Sequence, residues 1–335
     1  MRIPRLIALG SLGCASLLAT MLHGEDAHFR LTLRVIDDVG QPVAGAYVRI
    51  GAEARVTEPW REGGKGVFAE GLTNKEGLFS GEVETIDARL AGYSVQKDGY
   101  YRTRLSYSAQ YPPVKGRWEP WNPTIELVLK RIKSPVPMYA KHVQLKVPEF
   151  DKPIGYDLVI GDWVSPFGKG EKSDFIFEAR RNVRSDRDYE GSLSLRFSNL
   201  ADGLIPFDQP QADGSELRLP YQAPENGYLE EKTWREARQH EPDGRDKVLS
   251  DASRTMNYFF RVRTLVDAQG RVVSAYYGKL HGDVRFFIGT LAPTSGLAFT
   301  YYLNPDGTRN VEFDPQRNLF KPAKRDDSAF WNLGP

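Results

Sequence analysis

His28-Phe29-Arg30-Leu31-Thr32-Leu33-Arg34-Val35-Ile36 is the stretch that decides the fold. Phe29, Leu31, Leu33 and Val35 fall on one side, and Arg30, Thr32 and Arg34 on the other. Side chains that alternate apolar and polar with a period of two belong to a half-buried β-strand. Asp37-Asp38-Val39-Gly40-Gln41-Pro42 follows as a turn, because glycine admits positive φ and proline has no N–H to give to a ladder. Ala46, Val48 and Ile50 then alternate with Tyr47 and Arg49 in a second strand. Thr73-Asn74-Lys75-Glu76-Gly77 is another turn, with Leu78 and Phe79 after it. Residues 90–96, 100–107 and 124–130 read as further strands. About seven short strands over roughly a hundred residues predict an antiparallel sandwich.

Three elements follow in order: Val35-x-Asp37-x-x-Gly40-x-Pro42-Val43-x-Gly45-Ala46-x-Val48-x-Ile50, then Thr73-Asn74-Lys75-Glu76-Gly77-Leu78-Phe79, then Lys97-Asp98-Gly99-Tyr100. Together they resemble the carboxypeptidase regulatory-like domain, a transthyretin-like sandwich module of many secreted proteins. The resemblance covers residues 28–131. It departs from the family at an insertion over residues 52–67 and at a Pro- and aromatic-rich segment over residues 107–121. It implies an Ig-like scaffold or binding role and carries no catalytic residues.

Residues 132–137, with Pro135 and Pro137 beside basic residues, read as a linker. Strand patterns resume in residues 138–320. Residues 192–200 alternate, and residues 174–180 carry Phe175, Ile176 and Phe177 as a strand buried on both faces. Residues 257–265 and 272–279 form a hairpin through Asp267-Ala268-Gln269-Gly270. Residues 297–303 and 310–313 pair as another hairpin around Asn304-Pro305-Asp306-Gly307-Thr308. In residues 228–240 neither the helical nor the strand period wins. Residues 321–335 are a polar, loosely held tail. The fold class is all-β: a transthyretin-like or Ig-like sandwich followed by a second antiparallel sandwich domain.

Residues 1–24 have the layout of a secretory signal, with Arg2 and Arg5 before an apolar stretch that ends at Gly24-Glu25-Asp26. An uncleaved anchor and a lipoprotein acylated at Cys14 are the alternatives. The expected location is exported: periplasmic, outer-surface or extracellular, with no transmembrane segment once the signal is removed. Cys14 is the only cysteine of the 335 residues, so the remainder has no disulfide, thiol nucleophile or cysteine-bound zinc. The formal net charge is +1, and removing residues 1–24 takes away Arg2 and Arg5 and no acid, leaving −1. That balance argues against nucleic acid as a partner.

Tyr107, Tyr111, Trp118 and Trp121, set among Pro112, Pro113, Pro120 and Pro123, are the candidate ligand-binding residues. Aromatic rings on stiff loops stack on sugar faces at low ordering cost. Asp186-x-Asp188-x-Glu190 has alternating oxygen ligands but reads better as an acidic turn, because the twelfth position of a calcium loop would be Phe197. His281 and Asp283 flank Gly282 with no nucleophile motif nearby, which favours a surface turn over catalysis. No catalytic, cofactor or metal residues are assigned. The reading is a non-enzymatic, exported binding or structural protein with a glycan or an envelope protein as partner. A carbohydrate-active hydrolase using two carboxylates of the second domain is the rival.

Overall fold

The computed structural model describes residues 26–54, 65–209, 213–288, 295–321 and 327–335. The export segment with Cys14, and most of the insertion at 52–67, lie outside the described residues. Among the described residues no helix is long and apolar enough to cross a membrane. The chain is all-β, in two sandwiches.

The first sandwich faces two sheets. One runs β4 (Leu78–Thr85), β1 (Ala27–Asp37), β8 (Arg117–Glu119), β7 (Gln110–Val114), with β9 (Thr124–Leu129) also on β1. The other runs β3 (Lys65–Leu72), β2 (Tyr47–Ala54), β5 (Asp87–Gln96), β6 (Thr103–Tyr107). Phe29, Leu31, Leu33 and Val35 all point inward and meet Val48, Ile50 and Val95 in one core. The sheets are not purely antiparallel, since β1 runs parallel to β9 from Thr32↔Thr124 to Asp37↔Leu129. Gly77 is required in its turn: at φ +75° an added Cβ would lie 2.4 Å from the Val35 carbonyl oxygen.

The second sandwich packs a six-stranded sheet on a seven-stranded one. The six-stranded order is β12 (Asp162–Trp163), β11 (Pro153–Asp157), β13 (Phe175–Ser185), β14 (Asp188–Arg196), β16 (Glu231–His240), β17 (Asp246–Ser250). The seven-stranded order is β15 (Gly203–Asp208), β18 (Met256–Val266), β19 (Val272–Leu280), β21 (Gly296–Asn304), β10 (Val136–Lys146), β22 (Phe313–Asn318), with β20 (Arg285–Phe287) on β21. Tyr156, Phe175, Phe177 and Trp234 from one sheet meet Phe260, Phe299 and Tyr301 from the other. A second cluster on the far side of the larger sheet brings Leu219 and Ala223 onto Phe259, Tyr302 and Phe313. With cover on both faces, β18 is buried without a break from Asn257 to Val262.

Four expectations change. Residues 228–240 resolve as strand β16, with Trp234 turned into the core. In β13 the burial alternates instead of covering both faces, because only one side of that sheet meets a partner. Residues 297–303 and 310–313 do not form a hairpin: β21 pairs with β10 and β19, and β22 runs parallel to β10. The turn side chains make the diversion, since Asn304 Nδ2 donates to the Asn310 carbonyl at 2.8 Å and turns the chain away. The end of the chain is packed: residues 328–330 form a 3-10 turn, Phe330 lies against Phe320, and Leu333 packs on the core.

Residues 132–137 do not hang free. Glu312, 1 % exposed, accepts from the Tyr101 hydroxyl (2.8 Å), the Lys133 N–H (2.8 Å) and the Ser134 N–H (2.7 Å). β6 is extended by the chain around Ser215: Arg104 N–H donates to the Gly214 carbonyl, and Glu216 N–H to the Arg102 carbonyl, both at 2.9 Å. Lys130–Asp213 and Arg102–Glu216 ion pairs, each 2.6 Å, flank that seam. The two sandwiches are thus joined by sheet hydrogen bonds and a buried carboxylate, which fixes their relation.

Candidate functional site

The four aromatic residues expected to bind ligand lie in different environments. Residues 107–121 are not an open loop; β7 and β8 make a short hairpin on the edge of the first sheet. Trp118 is 1 % exposed, sits in the core and donates Nε1–H to the Thr85 carbonyl at 3.3 Å. It is closed to any ligand, because the alternation of β8 turns it inward. Tyr107 is half-buried and stacks on Phe29 with centroids 6.2 Å apart. Trp121 is half-buried under the Arg117 guanidinium. Tyr111 alone is broadly exposed, at 63 %, with the Arg89 guanidinium 5.2 Å from its ring centre.

The remaining motifs are structural. Arg184 pairs with both Asp188 and Glu190 at 3.1 Å across the β13–β14 turn, so two of the three acids of the motif are engaged by one guanidinium. Asp283 accepts four hydrogen bonds: from Trp234 Nε1 (2.5 Å), the Tyr258 hydroxyl (2.7 Å), Ser253 N–H (2.9 Å) and Val284 N–H (3.0 Å). A carboxylate so engaged holds loops together and has little capacity left for proton transfer. His240 belongs to the cluster of Arg187 and Arg238 around Asp246, whose carboxyl those partners hold well below the usual range. In the core, Arg263 binds Asp174 (2.7 and 2.8 Å) and Asp157 (3.0 Å), from a backbone φ of +56°. Among the described residues no group of three or more His, Cys, Asp or Glu is arranged to hold a metal.

A concave surface forms in a region that carries no sequence motif. The solvent face of β3-β2-β5-β6 carries a trough of about 650 Å³. Its floor is formed by Gly51 and Gly92, which pair directly across β2 and β5. Gly92 has open space above it, with no atom within 4 Å of an added Cβ. Phe68 lies flat against Gly51 and Gly66, and the Arg49 guanidinium stacks 3.6 Å from its ring centre. Arg49 is held by Glu70 at 2.9 Å, and Glu70 also draws the Tyr47 hydroxyl, raising its pKa. Ser94, Gln96 and Arg104 complete the polar lining, and Leu90 stands exposed at one end beside Asp87 and Arg89. None of the four predicted aromatics lines the trough; Tyr111 is linked to it only through Arg89, the ion-pair partner of Asp87.

No protein-family model matches the chain, and no curated protein does. Solved structures with some likeness include a shaft pilin of Lactobacillus rhamnosus GG, at 12 % identity and TM-score 0.21, covering 72 % of this chain and 89 % of the pilin. The major pilin subunit of Bacillus cereus follows at 10 % identity and TM-score 0.19, covering 85 % and 99 %. A candidate carbohydrate-binding protein from Bacteroides uniformis is 10 % identical with TM-score 0.18, covering 82 % and 97 %. With TM-scores this low, these likenesses carry no argument about what the chain does.

Proposed function

We propose that this chain is an exported, non-enzymatic binding protein whose first sandwich, residues 28–131, is a module of the carboxypeptidase regulatory-like type. Residues 1–24 are its export signal, and it works in the periplasm, at the outer surface or outside the cell. The trough on β3-β2-β5-β6 is the ligand site, and its ligand is an extended glycan segment.

The observation that carries this reading is the glycine floor. Gly92 is bare beside a Gly51 that the Phe68 ring covers, which lets a flat chain approach the sheet against that ring, while Arg104, Ser94, Gln96 and Tyr47 offer hydrogen bonds along it. The volume falls in the range of about 300–1,000 Å³ usual for small-ligand sites. A binding role without catalysis is supported by how the nearby acids are used: Glu70 holds Arg49, and Asp87 holds Arg89. The locked seam between the sandwiches suits a protein that presents a fixed surface.

A glycan array read for both retention and cleavage tests this. Retention without cleavage is the expected result. Cleavage of any retained glycan would overturn the non-enzymatic reading and turn attention to carboxylates of the second sandwich.

A further inference from the structure

The second sandwich carries a separate cleft of about 500 Å³, beyond the end of β19. Four segments distant in sequence build it: β10 gives His142, the turn after β17 gives Ser253 and Arg254, the chain after β19 gives His281, Asp283 and Arg285, and β21 gives Thr300. His142 and Thr300 are cross-strand neighbours, with Nδ1 and Oγ1 2.8 Å apart.

The charge of this cleft is unbalanced. Arg254 and Arg285 are exposed, and neither has a carboxylate within ion-pair distance among the described residues. The one acid in the lining, Asp283, is spent on its four donors. His281 lies in the wall with its Nε2 buried and lacking a hydrogen-bond partner. Lys279 is fully buried, and its Nζ, 5.1 Å from the Tyr302 ring centre, also lacks a hydrogen-bond partner among the described residues. Burial, with Lys279 and Arg218 nearby, pushes the His281 pKa well down; burial and then Arg285 push down that of His142. The lining is therefore rich in donors, poor in free acceptors and positive. Its complement is a ligand with many acceptor oxygens and a negative charge.

We propose that this cleft binds an acidic saccharide, with the carboxylate of a uronate sugar between Arg254 and Arg285 and its hydroxyls on Ser253 and Thr300. Guanidinium groups match planar carboxylates in a two-pronged geometry, and such charge-assisted bonds are stronger than neutral ones. The cleft is large enough for a sugar and far larger than a single inorganic anion needs. This site stands apart from the trough of the first sandwich and does not depend on it.

The test is calorimetric titration of the full chain with a galacturonic acid trimer, the neutral galactose trimer and inorganic phosphate, at low and at moderate salt. The uronate should bind, weaken with salt, and exceed both other probes by at least about tenfold. Arg254→Gln and Arg285→Gln should each reduce affinity about tenfold, with an unchanged thermal midpoint because both side chains are exposed. Arg254→Lys, which keeps the charge and loses the fork, should fall between wild type and Arg254→Gln. Absence of uronate binding, equal binding of the neutral trimer, phosphate matching the uronate, or affinity untouched in the Arg254→Gln/Arg285→Gln double variant would each overturn the assignment. So would loss of uronate binding in Gly92→Leu, which would place the acidic sugar in the trough.

Discussion

The trough on the first sandwich and the cleft on the second both use arginine, in different electrostatic states. In the trough, Arg49 is held by Glu70 and Arg102 by Glu216, and of its three lining arginines only Arg104 lacks a carboxylate partner among the described residues. In the cleft, Arg254 and Arg285 have no such partner among the described residues. What a concave surface can recruit thus depends less on its residue types than on whether its charges are already satisfied. The same contrast runs inside the second sandwich. Arg263 is bound by two buried aspartates, while Lys279 is buried among Tyr302, His281 and Arg218 with only Glu312 to favour its charge.

The largest test of that contrast is Arg263→Met, which strands Asp157 and Asp174. It should cost about 3–5 kcal/mol in urea unfolding, and a cost similar to that of Arg254→Gln would break the distinction between spent and unspent arginine. Trp118→Ala should cost a comparable amount, about 3–5 kcal/mol, and leave glycan retention intact in the folded fraction. Loss of retention without loss of stability would return Trp118 to the ligand site.

Lys279→Met should act in the other direction, adding on the order of a few kcal/mol at neutral pH by removing a buried, unpartnered amine. The pH dependence follows from its pKa, lowered by burial to about 7 in the folded chain. Between that value and the ordinary lysine range the unfolded chain holds more protons, so this group makes stability rise as pH increases from about 7. The stability gap between Lys279→Met and wild type should therefore narrow steadily from pH 7 to about 9.5. A constant gap would show that Lys279 keeps its proton in the folded chain throughout this range and is therefore partnered. The smallest expected effect is at the exposed pair: Arg254→Gln and Arg285→Gln should change stability by less than about 0.5 kcal/mol.

Much of the fold was legible because a half-buried strand has one unmistakable period. Residues 28–36 show it, and so does the hairpin turning at Asp267-Ala268-Gln269-Gly270. The same local reasoning failed where a tertiary partner decides. The side chains of Asn304 and Asn310 redirect a chain that looks like a hairpin, and β22 finds its partner in β10, far away in sequence. Tyr107, Tyr111, Trp118 and Trp121 share a composition yet divide between core and surface, because strand alternation turns Trp118 inward and leaves Tyr111 outside. The trough itself left no local mark. Gly51 and Gly92 become a floor only through cross-strand register, and neither lies in a turn signal. The cleft is assembled from four segments: the pairing of β10 and β20 with β21 brings His142, Thr300 and Arg285 together, and Arg254 arrives on the chain after β17.

The measurement that bears most directly on the proposed function is the affinity of a soluble oligosaccharide retained on the array, titrated into wild type and Gly92→Leu. Gly92 has open space above it, so the leucine should fold without strain and fill the floor of the trough. At least a tenfold loss of affinity at an unchanged thermal midpoint is the predicted result. Equal affinity in the two proteins would contradict the trough as the binding site.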